Sequence, residues 1–320
     1  MIGSSVNKGV LADKVYRDNL IQYFDWWYYD QGFKWQGEGN DLCRKVMDLA
    51  VLHGKKLRGN NLTSATSQIT KEEISVMLLV KHLENCFEQF PEITHWDAVH
   101  ESTADNGFSR KCIWKKCLGN DWEAKVFHLA HKISPNASLF YCDYFRDKRK
   151  WSAAYQKILS WLDRGIPVHG ISIQLHSNLR PSVLGKNASL NIKEAEYWMK
   201  RFKSLGLLLH VPEIVVWQPS VVVDIRNFQG RAHLYKEILR KGMGDFLLFI
   251  EDVDELQAKV YEQIIDACVN ANADMIGFWS AFDKYPWNWI GNRAKGGFWD
   301  KEFIPKKNFE VLRNYRRQNG

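Results

Sequence analysis

No Cys-x-x-Cys pair occurs in this 320-residue chain, and the six cysteines (43, 86, 112, 117, 142 and 268) show no zinc-clip spacing. No metal site is expected from them. They read as buried free thiols that pack as small hydrophobes, with a Cys112–Cys117 disulfide as the one alternative pairing. No apolar run reaches the roughly 18 residues that a membrane helix needs, so membrane insertion is not expected. The opening "MIGSSVNKGVL" lacks a basic stretch followed by an apolar one, so no secretion signal is visible. No Pro/Gly-rich or low-complexity linker divides the chain, which argues for one domain over residues 1–320. A long basic tract is also missing. The 44 Lys and Arg against 37 Asp and Glu leave +7, spread along the chain, and nucleic acid is not an expected partner.

The composition is otherwise that of a globular protein, with 45% apolar and 25% charged residues. Aromatic residues are abundant at 13%, and 14 of them are Trp. Indoles fill cores, and they also stack on flat apolar faces, sugars included. Short apolar runs alternate with longer amphipathic ones. The strand candidates are "MIGSSV", "YFDWWYYDQGFKWQG", "KKLRGNNL", "THWDAVHE", "ASLFYCDY", "VHGISIQLH", "LGLLLHVPEIVV" and "ADMIGFWSAF". Helical patterns lie between them, with Thr70 as a candidate N-cap and Gly165 and Gly206 just past helix ends. Strand then helix, repeated about eight times in one domain, predicts an α/β fold, the (β/α)8 barrel. An open doubly wound sheet would also alternate, but it usually carries a Gly-rich turn after its first strand, and none is present.

Barrels keep reactive groups at the C-terminal ends of their strands. Glu101 closes "THWDAVHE", and Glu213 closes the first half of "LGLLLHVPEIVV". Two carboxylates delivered by different strands to one mouth suit glycoside hydrolysis, one as general acid and base and the other as nucleophile. A solvated strand end is the plainer reading of either glutamate alone.

Several motifs, in order along nearly the whole chain, resemble glycoside hydrolase family 10, the xylanase family. Its W-D-V-V-N-E-A is similar to Trp96-Asp97-Ala98-Val99-His100-Glu101-Ser102, and its L-Y-x-N-D-Y-N to Leu139-Phe140-Tyr141-Cys142-Asp143-Tyr144-Phe145. Its G-I-G-x-Q-x-H resembles Gly170 to His176, and its H-I-T-E-L-D resembles His210 to Val215. Its V-W-G-V-T-D-K-Y-S-W resembles Phe278 to Trp287, and its closing F-D-x-x-Y-x-P-K-P resembles "WDKEFIPKK". The resemblance implies the (β/α)8 barrel, a retaining endo-β-1,4-xylanase-like activity, Glu101 as acid/base and Glu213 as nucleophile. It implies no cofactor, a polysaccharide or oligosaccharide substrate, a monomer, and a secreted or cell-envelope location.

The resemblance also implies a sugar-binding set. Asp30, Gln31 and Lys34 stand where the family has E-N-x-M-K-W, with Lys34 a hydroxyl donor to the glycone. Asn60 replaces a sugar-contacting His, and Ser64 replaces a Trp of R-G-H-x-L-V-W-H. His100 replaces the Asn that is expected to bond the 2-hydroxyl beside the scissile bond. Tyr144, Gln174 and His176 are kept, with His176 beside the nucleophile. Trp279 and Trp287 are expected to stack on sugar. His210 reads as structural and Asp283 as a loop-fixing acid. The catalytic pair is kept while the floor around it is rebuilt, which points to a related or decorated glycan. A non-hydrolytic carbohydrate-binding protein on a degenerate barrel and a transglycosylase are the alternatives.

Overall fold

The computed structural model describes residues 1–29, 33, 35, 40–67, 69, 75–179, 190–218, 221–223, 247–249, 252–285 and 295–319. Eight parallel strands close into a barrel: β1 (Ile2–Val6), β2 (Trp26–Tyr29), β3 (Lys56–Ser64), β4 (His95–His100), β5 (Ser138–Tyr144), β6 (Gly170–Asn178), β7 (Leu208–Trp217) and β10 (Met275–Phe278). β1 to β7 pair in chain order up to the closing strand β10, which joins β7 to β1. The eight expected strands are therefore the eight staves. A short parallel pair, β8 (Val221–Val223) with β9 (Leu247–Phe249), stands outside the barrel; the sequence reading proposed no strand there.

The staves form where the sequence runs apolar without alternation, because a parallel barrel buries both faces of each strand. β7 is buried at eight consecutive positions, Leu209 to Val216. Helices cover the outside: α1 (Lys14–Tyr23), α2 (Asn40–Leu52), α3 (Val76–Gln89), α4 (Ile113–Leu118), α5 (Trp122–Ile133), α6 (Lys148–Asp163), α7 (Ile192–Lys203), α8 (Val253–Asn270) and α9 (Phe309–Asn319). Ser75 caps α3 by accepting the Leu78 N–H, so that helix starts later than a Thr70 cap would place it; Thr70 lies outside the described residues. Gly165 follows the α6 cap with φ +67°, as expected of a left-handed helix end. None of the described helices is long and apolar enough to cross a membrane. All six cysteines are free; Cys112 caps α4 and Cys117 lies within it, and no disulfide joins them.

Two features fix the barrel floor below the mouth. The indole of Trp96 lies against Gly59 on the neighbouring strand, where any Cβ would fall inside the ring. Beside it, Arg58 is fully buried and bonded to Asp97 and Ser172, with its Nη1 2.6 Å from His210 Nδ1. Its guanidinium also lies 4.6 Å over the Phe140 ring. Burial, then the Arg58 charge, pushes the His210 imidazole well below its usual range, so His210 is a neutral partner in a structural plug.

Candidate active site

Glu101 follows β4 directly and turns into the mouth with φ +54°, a left-handed conformation that is uncommon for a residue with a side chain. Its backbone N–H donates to the Cys142 carbonyl at 2.8 Å. Arg110 Nε donates to the Glu101 carbonyl at 2.9 Å, and Arg110 Nη2 reaches the Tyr144 hydroxyl at 3.2 Å. The segment that follows is held from behind. Asp143 accepts the Thr103 N–H at 3.1 Å, and Lys157 Nζ bonds Ser102 Oγ, Thr103 Oγ1 and Glu123 Oε1.

Gln174 on β6 bridges the elbow. Its Nε2 donates to Glu101 Oε1 at 3.3 Å and lies 2.9 Å from His100 Nε2. His100 Nδ1 lies 3.3 Å from Ser64 Oγ. His100 Nε2 is 3.7 Å from Glu101 Oε1. Burial raises the Glu101 carboxyl. The His100 charge, the Gln174 hydrogen bond, Lys150 and Arg110 together outweigh burial and hold it below its usual value.

Glu213 lies within β7, in register with Gln174 on β6, and is buried. His176 Nε2 is 3.4 Å from Glu213 Oε2. The Tyr28 hydroxyl bonds the Pro212 carbonyl and lies 3.0 Å from the Phe278 carbonyl, so it fixes the peptide that precedes Glu213. Cys142 on β5 is paired in register with His100 and fully buried. The ligand atoms of His100, Cys142 and Glu213 lie within 4.8 Å of one another.

The structure thus brings Glu101, His100, Gln174, Glu213 and His176 to one mouth. Tyr144 stands at its side, with Lys150 Nζ 3.2 Å over its ring. Asn60 is buried and accepts from Asn61 at 3.1 Å. Trp279 is 3% exposed, stacked on Tyr28 with ring centres 6.1 Å apart and grouped with Trp26, Val215 and Met275. Asp283 accepts the Gly297 N–H at 2.7 Å and pairs with Lys306 at 3.1 Å, the arrangement of a loop-fixing acid. Asp30, Gln31, Lys34 and Trp287 lie outside the described residues. Sequence reasoning missed Tyr28, Arg58, Arg110 and Lys150. The basic residue Arg110, shortly after an acid-bearing strand, was the one signal available.

The family model described as glycosyl hydrolase family 10 matches residues 21–315. Endo-1,4-beta-xylanase B of Paenibacillus barcinonensis is 29% identical over 290 residues, which is 84% of this chain and 80% of that protein. A beta-1,4-xylanase of Dictyoglomus thermophilum is 29% identical over 281 residues, 83% of this chain and 72% of that one. The crystal structure of xylanase 10B from Thermotoga petrophila, in complex with xylobiose, aligns with a TM-score of 0.79 over 99% of this chain and 94% of its own, at 22% identity, a likeness of fold. The family match spans seven of the eight staves, including those that carry the two glutamates, and the relatives agree along most of their own length. The chain is a glycoside hydrolase and belongs to glycosyl hydrolase family 10.

Proposed function

We propose that this protein is a retaining, endo-β-1,4-xylanase-like hydrolase that works by double displacement, with Glu213 as nucleophile and Glu101 as acid/base. The observation that carries the reading is the Gln174 bridge: one side chain, in register with Glu213 on β7, donates to Glu101 at 3.3 Å. In the first step Glu213 attacks the anomeric carbon, the glycosidic C–O bond breaks, and Glu101 gives its proton to the leaving oxygen. In the second step Glu101 takes a proton from water, and that water displaces Glu213. A bound sugar chain that excludes water raises Glu101 towards the protonated form that the first step needs.

The relatives' names point to β-1,4-xylan as the parent substrate. His100, Asn60 and Ser64 stand where the family pattern has other residues and line a rebuilt floor, which supports a related or decorated glycan. The protein acts as a monomer in this proposal.

The test is reducing-end release from xylan, decorated xylans, β-glucans and bacterial exopolysaccharides, with Glu213→Ala as control and NMR of the first-formed anomer. Release with retained configuration, absent in the control, is expected. A Glu213→Ala variant as fast as wild type would overturn the assignment. Binding without release from any glycan favours the non-hydrolytic reading, and glycan-length products in excess of hydrolysis favour a transglycosylase.

A further inference from the structure

Two positions at which the chain departs from the family pattern share one pair of strands. His100 and Cys142 each stand where that pattern has an Asn, and they are directly paired in the β4–β5 register. Each change replaces an amide, a poor metal ligand, with a good one: imidazole and thiol. Both face Glu213 from across the barrel, and the three ligand atoms lie within 4.8 Å of one another. We propose that His100, Cys142 and Glu213 form a binding site for a borderline-soft divalent cation, with Zn²⁺ as the best match, and that the ion there blocks the catalytic centre.

The donor set suits zinc. Nitrogen, sulfur and carboxylate oxygen are its usual ligands, whereas Mg²⁺ and Ca²⁺ require mostly oxygen. A thiolate and a carboxylate together neutralise a double positive charge, which matters in a buried site. The thiol proton leaves to solvent as the Zn–S bond forms. Zn–S near 2.3 Å and Zn–N near 2.0–2.1 Å put tetrahedral ligand atoms ~3.5 Å apart. The three side chains therefore have to draw in by about an ångström or less.

The competing interactions are modest. Among the described residues, the hydrogen-bond contact of Cys142 Sγ is a long one from Gln174 Nε2, at 3.7 Å. His100 Nε2 meets the same neutral amide. Among the described residues Glu213 pairs with no Lys or Arg. Among the described residues His176 Nε2 is buried, lies 3.4 Å from Glu213 Oε2 and makes no hydrogen bond. Three protein ligands leave the fourth zinc position for water. An ion held by Glu213 occupies the carboxylate that must attack the sugar. The inhibitory half of the proposal rests on the glycosidase reading; the binding half does not.

The test is calorimetric titration of the full chain with Zn²⁺ at neutral pH, with Mg²⁺ as the hard-ion control, alongside Co²⁺ absorption to detect a thiolate-to-metal band. One Zn²⁺ per chain and no Mg²⁺ binding are expected. Cys142→Ser and His100→Asn should each weaken Zn²⁺ by at least about tenfold, the lower end of what even an outer-shell partner costs, and Cys142→Ser should lose the Co²⁺ band. Absence of stoichiometric Zn²⁺ binding to wild type overturns the proposal, as does unchanged affinity in a folded Cys142→Ser variant. If Cys142→Ser does not fold, His100→Asn and the wild-type Co²⁺ band decide. On a substrate that the wild type cleaves, turnover should fall with Zn²⁺ and return with chelator; turnover unchanged at saturating Zn²⁺ overturns the inhibitory half. A chain that binds Zn²⁺ but cleaves no glycan contradicts the proposed function and leaves the site standing.

Discussion

Arg110 is the side chain on which the aim of Glu101 depends. Glu101 adopts φ +54°, a region that costs a residue with a Cβ roughly 1–2 kcal/mol. Something must hold it there, and from the front that is Arg110, through its 2.9 Å bond to the Glu101 carbonyl and its 3.2 Å bond to Tyr144. Hydrogen bonds to a charged group contribute about 1.5–3 kcal/mol. Arg110→Met removes that hold, and the left-handed turn relaxes in most molecules. If the competent turn becomes the minor state by about that energy, kcat/KM for a natural glycan falls roughly 10- to 100-fold.

The fall should depend on the leaving group. A sugar alcohol needs a proton from Glu101 to depart, whereas a dinitrophenolate does not. The same variant should therefore lose little kcat/KM on a dinitrophenyl glycoside, and Arg110→Lys should recover part of the loss on the glycan. The assay is kcat/KM for both substrates across wild type and the two variants. An equal loss on both substrates would mean that Arg110 acts on folding or on binding. No loss on either would mean that the loop is held without it, by Asp143 and Lys157 from behind.

Three further outcomes are expected. Arg58→Met should destabilise the barrel by about 3–5 kcal/mol, because it leaves Asp97 buried and uncompensated; adding Asp97→Asn should recover part of that in denaturant unfolding, and strict additivity of the two changes would contradict the plug. Gly59→Ala should cost about 1–3 kcal/mol by driving a methyl into Trp96, seen as a Tm lowered by about 2–4 °C per kcal/mol; an unchanged Tm would refute the close approach. Burial raises the Asp13 carboxyl, but its bonds to Lys284, the Tyr16 N–H and Tyr285 bring it down from 3.8 to about 2. A depressed carboxyl stabilises the fold above its unfolded pKa and loses that contribution as pH falls through the folded one. About 1–2 kcal/mol, discounted because Lys284 is partly exposed, should therefore disappear between pH 4 and 2. Asp13→Asn should flatten that window, and a wild-type slope in the variant would contradict the assignment.

The sequence by itself determined the order of the barrel and the position of its two acids. Each stave is a local apolar run, and one acid follows β4 directly while the other lies in the second half of β7, so neither needed knowledge of what lies across the barrel. The motif resemblance carried the same information, because motifs are local too. The tertiary structure decided everything that depends on register. Arg58 reads in the chain as one more basic residue, and only the pairing of β3 with β4 and the barrel interior turn it into a buried plug with His210 and Ser172. Trp279 reads as a sugar platform, and only barrel closure reveals that Tyr28 stacks on it. Cys142 reads as a packing thiol until the β4–β5 register sets it beside His100, with Glu213 opposite. A strand's period of two states which face a residue shows; it does not state which neighbour that face meets, because that is fixed only when eight strands settle into one mutual stagger.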